Sequence, residues 1–302
     1  MWSDAATAKE QLGRVGVWLS GPSRAPFAEA ADAARRLESA GYGALWLNEG
    51  PGAKDPFSHA ALLLGATERI VLATGIANIW AREAPAARNA ALTIAEAHPG
   101  RFTLGLGVSH QPLVQALGQT YNKPLTAMRR YLDHLDAVQY AGPAPADPVP
   151  VVLAALRPRM LQLAGERTAG AHPYLTPVEH TARARDVLGP DALLAPEVSV
   201  ALEPDPDRAR DRARTFIQHY LTLSNYTNNL RDLGYGDADL AGSGSDRLID
   251  AIVGWGDEEA VARRIREHLD AGADHVCIQP VGVGLDTAVG ELERLAPVLH
   301  GA

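Results

Sequence analysis

A regular alternation of β-rich runs and helical stretches, sustained from residue 14 to the end, limits what this chain can fold into more than any other feature. Strand-like runs at 14–19, 44–49, 70–79, 101–109, 151–156, 172–175, 197–202 and 275–281 are separated by segments whose apolar residues recur at helical spacing. After the first run, Phe27, Ala30, Ala31, Ala34 and Leu37 share one helix face before Gly41. Asp55 and Pro56 read as the N-cap and first residue of a helix to Ala66, and His98-Pro99-Gly100 as a helix stop. Thr176 and Glu179 have the spacing of a capping box, in which hydroxyl and carboxylate satisfy reciprocal backbone donors. Eight such runs, never two strands in succession, predict an α/β chain closed as a (β/α)8 TIM barrel. The 302 residues then form one domain, 1–302, with a mostly helical insertion before the last strand at about 205–255, over one barrel mouth. The Pro-rich 142–150 stretch reads as an exposed loop. The competing doubly wound nucleotide fold needs its glycine fingerprint after the first strand. The best match, Gly105-Leu106-Gly107-Val108-Ser109-His110, sits on the fourth and has His where the third Gly belongs.

Charge narrows the partners. With 28 Lys+Arg against 36 Asp+Glu, the net charge of −8 excludes a general nucleic-acid or anionic-membrane binder. The single cysteine, Cys277, permits no internal disulfide and no Cys-based zinc cluster, and within an apolar strand it reads as buried and inert. The start has no basic region followed by an apolar core, and the weakly charged 137–156 stretch is interrupted by four prolines. A cytoplasmic protein is expected.

In a barrel the reacting groups come from the C-terminal strand ends. Here these carry Trp18 and Ser20; Asn48 and Glu49; Asn78 and Trp80; Ser109 and His110; Ala155 to Arg157; Tyr174 and Thr176; Glu197; and Gln279. No His/carboxylate pair has metal-ligand spacing, and no strand end offers a lysine for imine chemistry, so no metal is expected. Aromatic faces, amides, one imidazole and a carboxylate suit a flat cofactor.

Four segments carry a resemblance: Ala44-Leu45-Trp46-Leu47-Asn48-Glu49; Leu72-Ala73-Thr74-Gly75-Ile76-Ala77-Asn78; Gly100 to His110; and Asp270-Ala271-Gly272-Ala273-Asp274-His275-Val276 with Gln279-Pro280. In these, in this order, the chain resembles the luciferase-like flavin and deazaflavin oxidoreductases, in particular the branch that uses coenzyme F420. The resemblance implies F420-dependent hydride transfer with a small-molecule substrate, in a barrel that dimerises, with reduced FMN as the alternative cofactor. A non-catalytic flavin-binding barrel is the third reading.

The family's bulged third strand, with its non-proline cis bond behind the deazaflavin, matches Gly75-Ile76; a simple strand kink is the plain alternative. Asn78 matches a ring-polarising hydroxyl residue. Asn48 and Glu49 match an Asp-His pair of the sugar-phosphate dehydrogenase relatives, and His110 matches their catalytic Glu. Acid and imidazole have thus exchanged places, which puts sugar-phosphate oxidation in doubt. His110 and Glu49 are the catalytic candidates, Glu49 equally suited to ordering a loop. Val108 and Ser109 are expected to line the cofactor, and Ala155, Leu156 and Arg157 to hold its phosphate. Trp18, Trp80 and Tyr174 are the candidate substrate walls.

Overall fold

The computed structural model describes residue 2 and residues 4–301. The first half contains α1 (Ala5–Leu12), β1 (Val15–Leu19), α2 (Phe27–Ser39), β2 (Ala44–Leu47), α3 (Pro56–Leu64), β3 (Val71–Thr74), β4 (Ala77–Asn78), α4 (Ala84–Ala97) and β5 (Phe102–Gly107). There follow α5 (Gln111–Ala116), α6 (Pro124–Ala137), β6 (Val151–Leu153), α7 (Pro158–Arg167), β7 (Gly170–Ala171), α8 (Val178–Leu188), β8 (Leu193–Leu194) and β9 (Glu197–Ala201). The last third holds α9 (Pro206–Tyr220), α10 (Ser224–Asp232), α11 (Asp237–Leu240), α12 (Asp246–Ile252), β10 (Gly254–Trp255), α13 (Glu258–Asp270), β11 (Val276–Pro280) and α14 (Leu285–His300).

Every strand pairing is parallel, and the sheet runs β10-β9-β11-β1-β2-β3-β5-β6-β7-β8, with β4 pairing β5. Parallel neighbours require a crossover between them, which the intervening helices supply. The sheet curls back on itself through residues 193–201. On one side Ala195 N and Glu197 N donate to Ala171 O and Pro173 O, at 2.9 and 2.8 Å; on the other Cys277 N donates to Pro196 O at 2.9 Å.

Strand periodicity of two sorts side chains between the outside and the lumen. Register aligns Trp18 with Trp46, Trp46 with Ala73, and Cys277 with both Gly16 and Glu197. The lumen cluster therefore contains Trp18, Ala44, Trp46, Ala73, Val152, Ala195 and Cys277, and Ala8 and Leu12 of α1 close it from below. The opposite strand faces pack against the outer helices in a larger core that includes Leu45, Leu72, Phe102, Leu104, Ile265 and Leu292.

Asp55 caps α3 as expected, its Oδ1 accepting from Ser58 N at 2.8 Å, with Pro56 in the first turn. The capping box at Thr176 is not formed. Pro177 occupies the N-cap position of α8, and the Thr176 hydroxyl is buried without a partner. Leu175, at φ +57°, donates its N–H to Glu197 Oε2, and this holds Thr176 one residue too early to cap. The expected third strand is interrupted, β3 and β4 flanking Gly75-Ile76. Alternation did not reveal α1, whose eight residues precede the first strand, or the two-residue β10.

Helices α9 to α12 have their own apolar core. Ile217, Leu223, Tyr226, Leu230, Leu248 and Ile252 pack with Leu175, Ala201 and Val281, residues at or beside the ends of β7, β9 and β11. This seats the segment on the C-terminal side of the sheet. No helix among the described residues is long and apolar enough to cross a membrane.

Candidate active site

The C-terminal strand ends meet at a bulge and an aromatic wall. The Gly75-Ile76 peptide is cis. Trp18 Nε1 donates to Gly75 O at 2.8 Å, and a Cβ on residue 75 would lie 2.6 Å from that nitrogen, so only glycine allows this approach. Ile76 is half-buried, its side chain resting where Gly105 and Gly107 leave room. The Trp18 ring lies 5.1 Å from Tyr174, whose hydroxyl is 2.9 Å from that of Tyr220. Tyr226 packs edge-on against Tyr220 at 5.3 Å and tilts toward His110 at 5.3 Å. A continuous series of rings thus links the Gly75 carbonyl to His110.

His110 stands at the N-cap position of α5, with no capping bond from its ring, and is half-buried. Its Nδ1 lies 3.0 Å from Asn225 Oδ1. Burial depresses its pKa below the ordinary value and the neighbouring charge of His219 acts the same way, while the bond to Asn225 opposes them. The ring is therefore neutral near pH 7. Ser109, at φ +55°, makes the turn that presents it.

Glu49 is placed differently. Its Oε2 accepts from Asn78 N at 2.6 Å, and burial raises its pKa, with Asn78 N–H and Arg82 opposing. Asn78 Oδ1 in turn accepts from Trp80 N at 3.1 Å, and Trp80 Nε1 donates to Val108 O at 2.9 Å. Glu49, Asn78, Trp80 and Val108 form one scaffold that ties the ends of β2, β4 and β5 together. Asn48 Oδ1, beside it, is buried without a partner.

Ala155 is buried and Leu156 half-buried, its carbonyl accepting from His180 Nε2 at 2.7 Å. Arg157 is the N-cap of α7, 56% exposed, with Nε 3.3 Å from Asp232. Its guanidinium, expected to help hold an anionic cofactor tail, pairs with a carboxylate of α10.

The strand-end reading passed over several residues that the structure brings here. Tyr220, Asn225 and Tyr226 lie far along the chain, and the only signal was the polar run 224–229 inside the helical segment. Glu197, expected at a C-terminal strand end, instead opens β9. It is fully buried, accepts from Leu175 N and Ser199 Oγ at 2.9 and 2.7 Å, and burial pushes its pKa up to about 7. Gln279, aligned with Ser199, keeps a buried Oε1 without a partner. Among the described residues no three His, Cys, Asp or Glu side chains are grouped to hold a metal ion.

A curled parallel sheet sheathed in helices, with its aromatic and titratable groups gathered at the C-terminal strand ends, defines the class of α/β-barrel proteins that bind ligands there. The profile of the luciferase-like monooxygenases matches residues 11–275, and the chain belongs to that family. Among its relatives, a 5,10-methylenetetrahydromethanopterin reductase of Methanolobus tindarius is 24% identical over 87% of this chain and 94% of its own. A putative coenzyme F420-dependent oxidoreductase of Mycobacterium tuberculosis is 34% identical over 57% of this chain and 46% of its own. The coenzyme F420-dependent tetrahydromethanopterin reductase from Methanopyrus kandleri shares the fold, with a TM-score of 0.72 at 18% identity over 95% of this chain and 99% of its own.

Proposed function

We propose that this chain is a coenzyme F420-dependent oxidoreductase, a single (β/α)8 barrel domain whose 205–255 segment is an insertion over the mouth. In this reading a hydride moves between the deazaflavin C5 and a small, neutral organic substrate, by C=C or C=N reduction or by alcohol oxidation. The ring series from His110 through Tyr226, Tyr174 and Trp18 to the Gly75 carbonyl carries it, because it sets an imidazole and a wall of mutually tilted aromatic rings around one bulged peptide. The relatives named as reductases and F420-dependent oxidoreductases support it.

The residues fit the group. Gly75 and Ile76 would back the ring, since the bulge admits no larger residue at 75 and leaves Ile76 half-exposed. The buried, unpartnered Asn48 Oδ1 would accept from a ring N–H, and Val108 and Ser109 would line the cofactor. The N–H groups at the start of α7 with Arg157 would take the phosphate, at the expense of the Asp232 contact. When bound, the deazaflavin supplies or receives the hydride. His110 holds or moves the accompanying proton, Asn78 and Glu49 fix the scaffold around it, and the tyrosines with Trp18 and Trp80 exclude water.

The family description itself names monooxygenases, which makes reduced FMN the competing cofactor. Fluorescence titration of the purified protein with F420 and with FMN separates them. Micromolar F420 binding is expected, and FMN binding with no response to F420 overturns the reading. F420 binding without turnover on a broad substrate panel would leave a binding protein. The reading also includes a cytoplasmic homodimer, which light scattering on the eluted protein tests for mass.

A further inference from the structure

Asn225 sits in the first turn of α10, 115 residues from His110 in sequence, yet its side chain makes no cap: Leu223 is the N-cap and has no side-chain bond. Its Oδ1 is instead 3.0 Å from His110 Nδ1. An amide oxygen only accepts, so the imidazole nitrogen facing it must carry the hydrogen. In a neutral ring that leaves Nε2 as a lone-pair acceptor. Among the described residues Nε2 has no hydrogen-bond partner, and it is not one of the buried unpartnered atoms, so it keeps contact with solvent. Helix α10 is rigid enough for this task, because Tyr226, Asn229 and Leu230 on the same helix are buried.

We infer that Asn225 is a positioning residue for His110, fixing its Nδ1–H tautomer and leaving Nε2 as the nitrogen that exchanges a proton with substrate. The helical segment then does more than cover the mouth: it determines which ring nitrogen is reactive. The inference rests on the proposed proton-transfer role of His110 for its catalytic consequence, but not for its geometry. Other groups act on the same ring. Tyr226 faces it from α10, and His219 on α9 is the remaining titratable group whose charge reaches it.

Nitrogen NMR of the histidine rings in the cofactor-free protein reads the tautomer directly, with His110→Gln identifying the signal. The Nδ1–H form is expected at pH 8, and an Nε2–H form overturns the inference. Asn225→Asp, which places a carboxylate at the same distance, should raise the His110 midpoint by about one unit or more, while Asn225→Leu lowers it. In the loaded enzyme, Asn225→Leu should lower kcat at least about ten-fold with cofactor affinity within about two-fold, and Asn225→Asp should move the pH–rate profile with the midpoint. A His110 midpoint unmoved in both variants rejects the contact, whatever the activity. Moved midpoints together with full turnover in His110→Ala would keep the geometry and reject the proton-transfer role instead.

Discussion

The lumen contains two groups of aromatic and imidazole side chains, and they behave oppositely. In the closed part near α1, Trp46 stacks on His172 with centroids 4.4 Å apart and planes 13° from parallel, and Trp46 Nε1 donates to His275 Nε2 at 3.2 Å. His275 Nδ1 donates to Gly13 O and His172 Nδ1 to Ala195 O, at 2.8 and 2.7 Å. All three residues are at most 2% exposed. At the mouth, the same residue types are half-buried or leave polar atoms free, as His110 and Tyr174 do. Chemistry therefore does not follow from residue type. Where the rings are stacked and fully covered, the group stabilises, even though His172 Nε2 is left without a partner; where one side opens to the loops, it is available to a ligand.

That contrast can be broken by substitution. The largest effect is expected from Trp46→Ala, which empties a fully buried position and should cost about 3–5 kcal/mol of unfolding free energy in urea melts. An effect below about 1 kcal/mol would show that the closed layer is not the packed half. His110→Ala should do the reverse: turnover falls at least about 100-fold, while the urea midpoint and F420 affinity change little. Full turnover in that variant would remove His110 from proton transfer.

pH should act with opposite sign on the buried histidines and on the buried carboxyl of Glu197. Burial depresses His172 and His275 to about 4, and His180 and His268 outside the lumen to about 4 and about 3. Unfolded histidines titrate near ~6.5, so the unfolded chain binds more protons between those values. The stability these groups confer is complete above about pH 6.5 and is lost as pH falls toward their folded values. Glu197 runs the other way. Raised to about 7, it binds more protons folded than unfolded between its ordinary value and 7, so its contribution is lost as pH rises through that window. Unfolding midpoints should therefore drop steeply from pH 7 to 5, and Glu197→Gln should gain stability relative to the parent as pH rises from 5 to 8. A pH-independent difference between those two chains would mean that Glu197 is not held in the folded state as described. The smallest effect is expected from Trp18→Phe, which removes the bond to Gly75 O at a cost of about 1 kcal/mol. It should weaken cofactor binding measurably and lower the urea midpoint only slightly, by what about 1 kcal/mol shifts it.

Much of this arrangement is legible in the residues. The strand-helix period gave the parallel α/β architecture, and Asp55-Pro56 gave a helix start, because both signals are local. The order of motifs around Asn48, Gly75 and His110 pointed to the family. The capping box at Thr176 failed because a hydrogen bond between Leu175 and Glu197, 22 residues apart, outweighed a local preference. That Asp232, 75 residues later, lies beside Arg157 was not legible in the sequence.

The sequence by itself determined the strand-helix order and most of the strand ends, since periodicity and turn chemistry act over a few neighbours; the strand expected at 172–175 lies at 170–171, and Glu197 opens β9. Only the tertiary structure decided which of those ends are reachable and what faces them. Asn225 meets His110 and Tyr220 meets Tyr174 because α9 to α12 bury an apolar core on the sheet's C-terminal side, and burial of that kind is non-directional until the whole chain is packed.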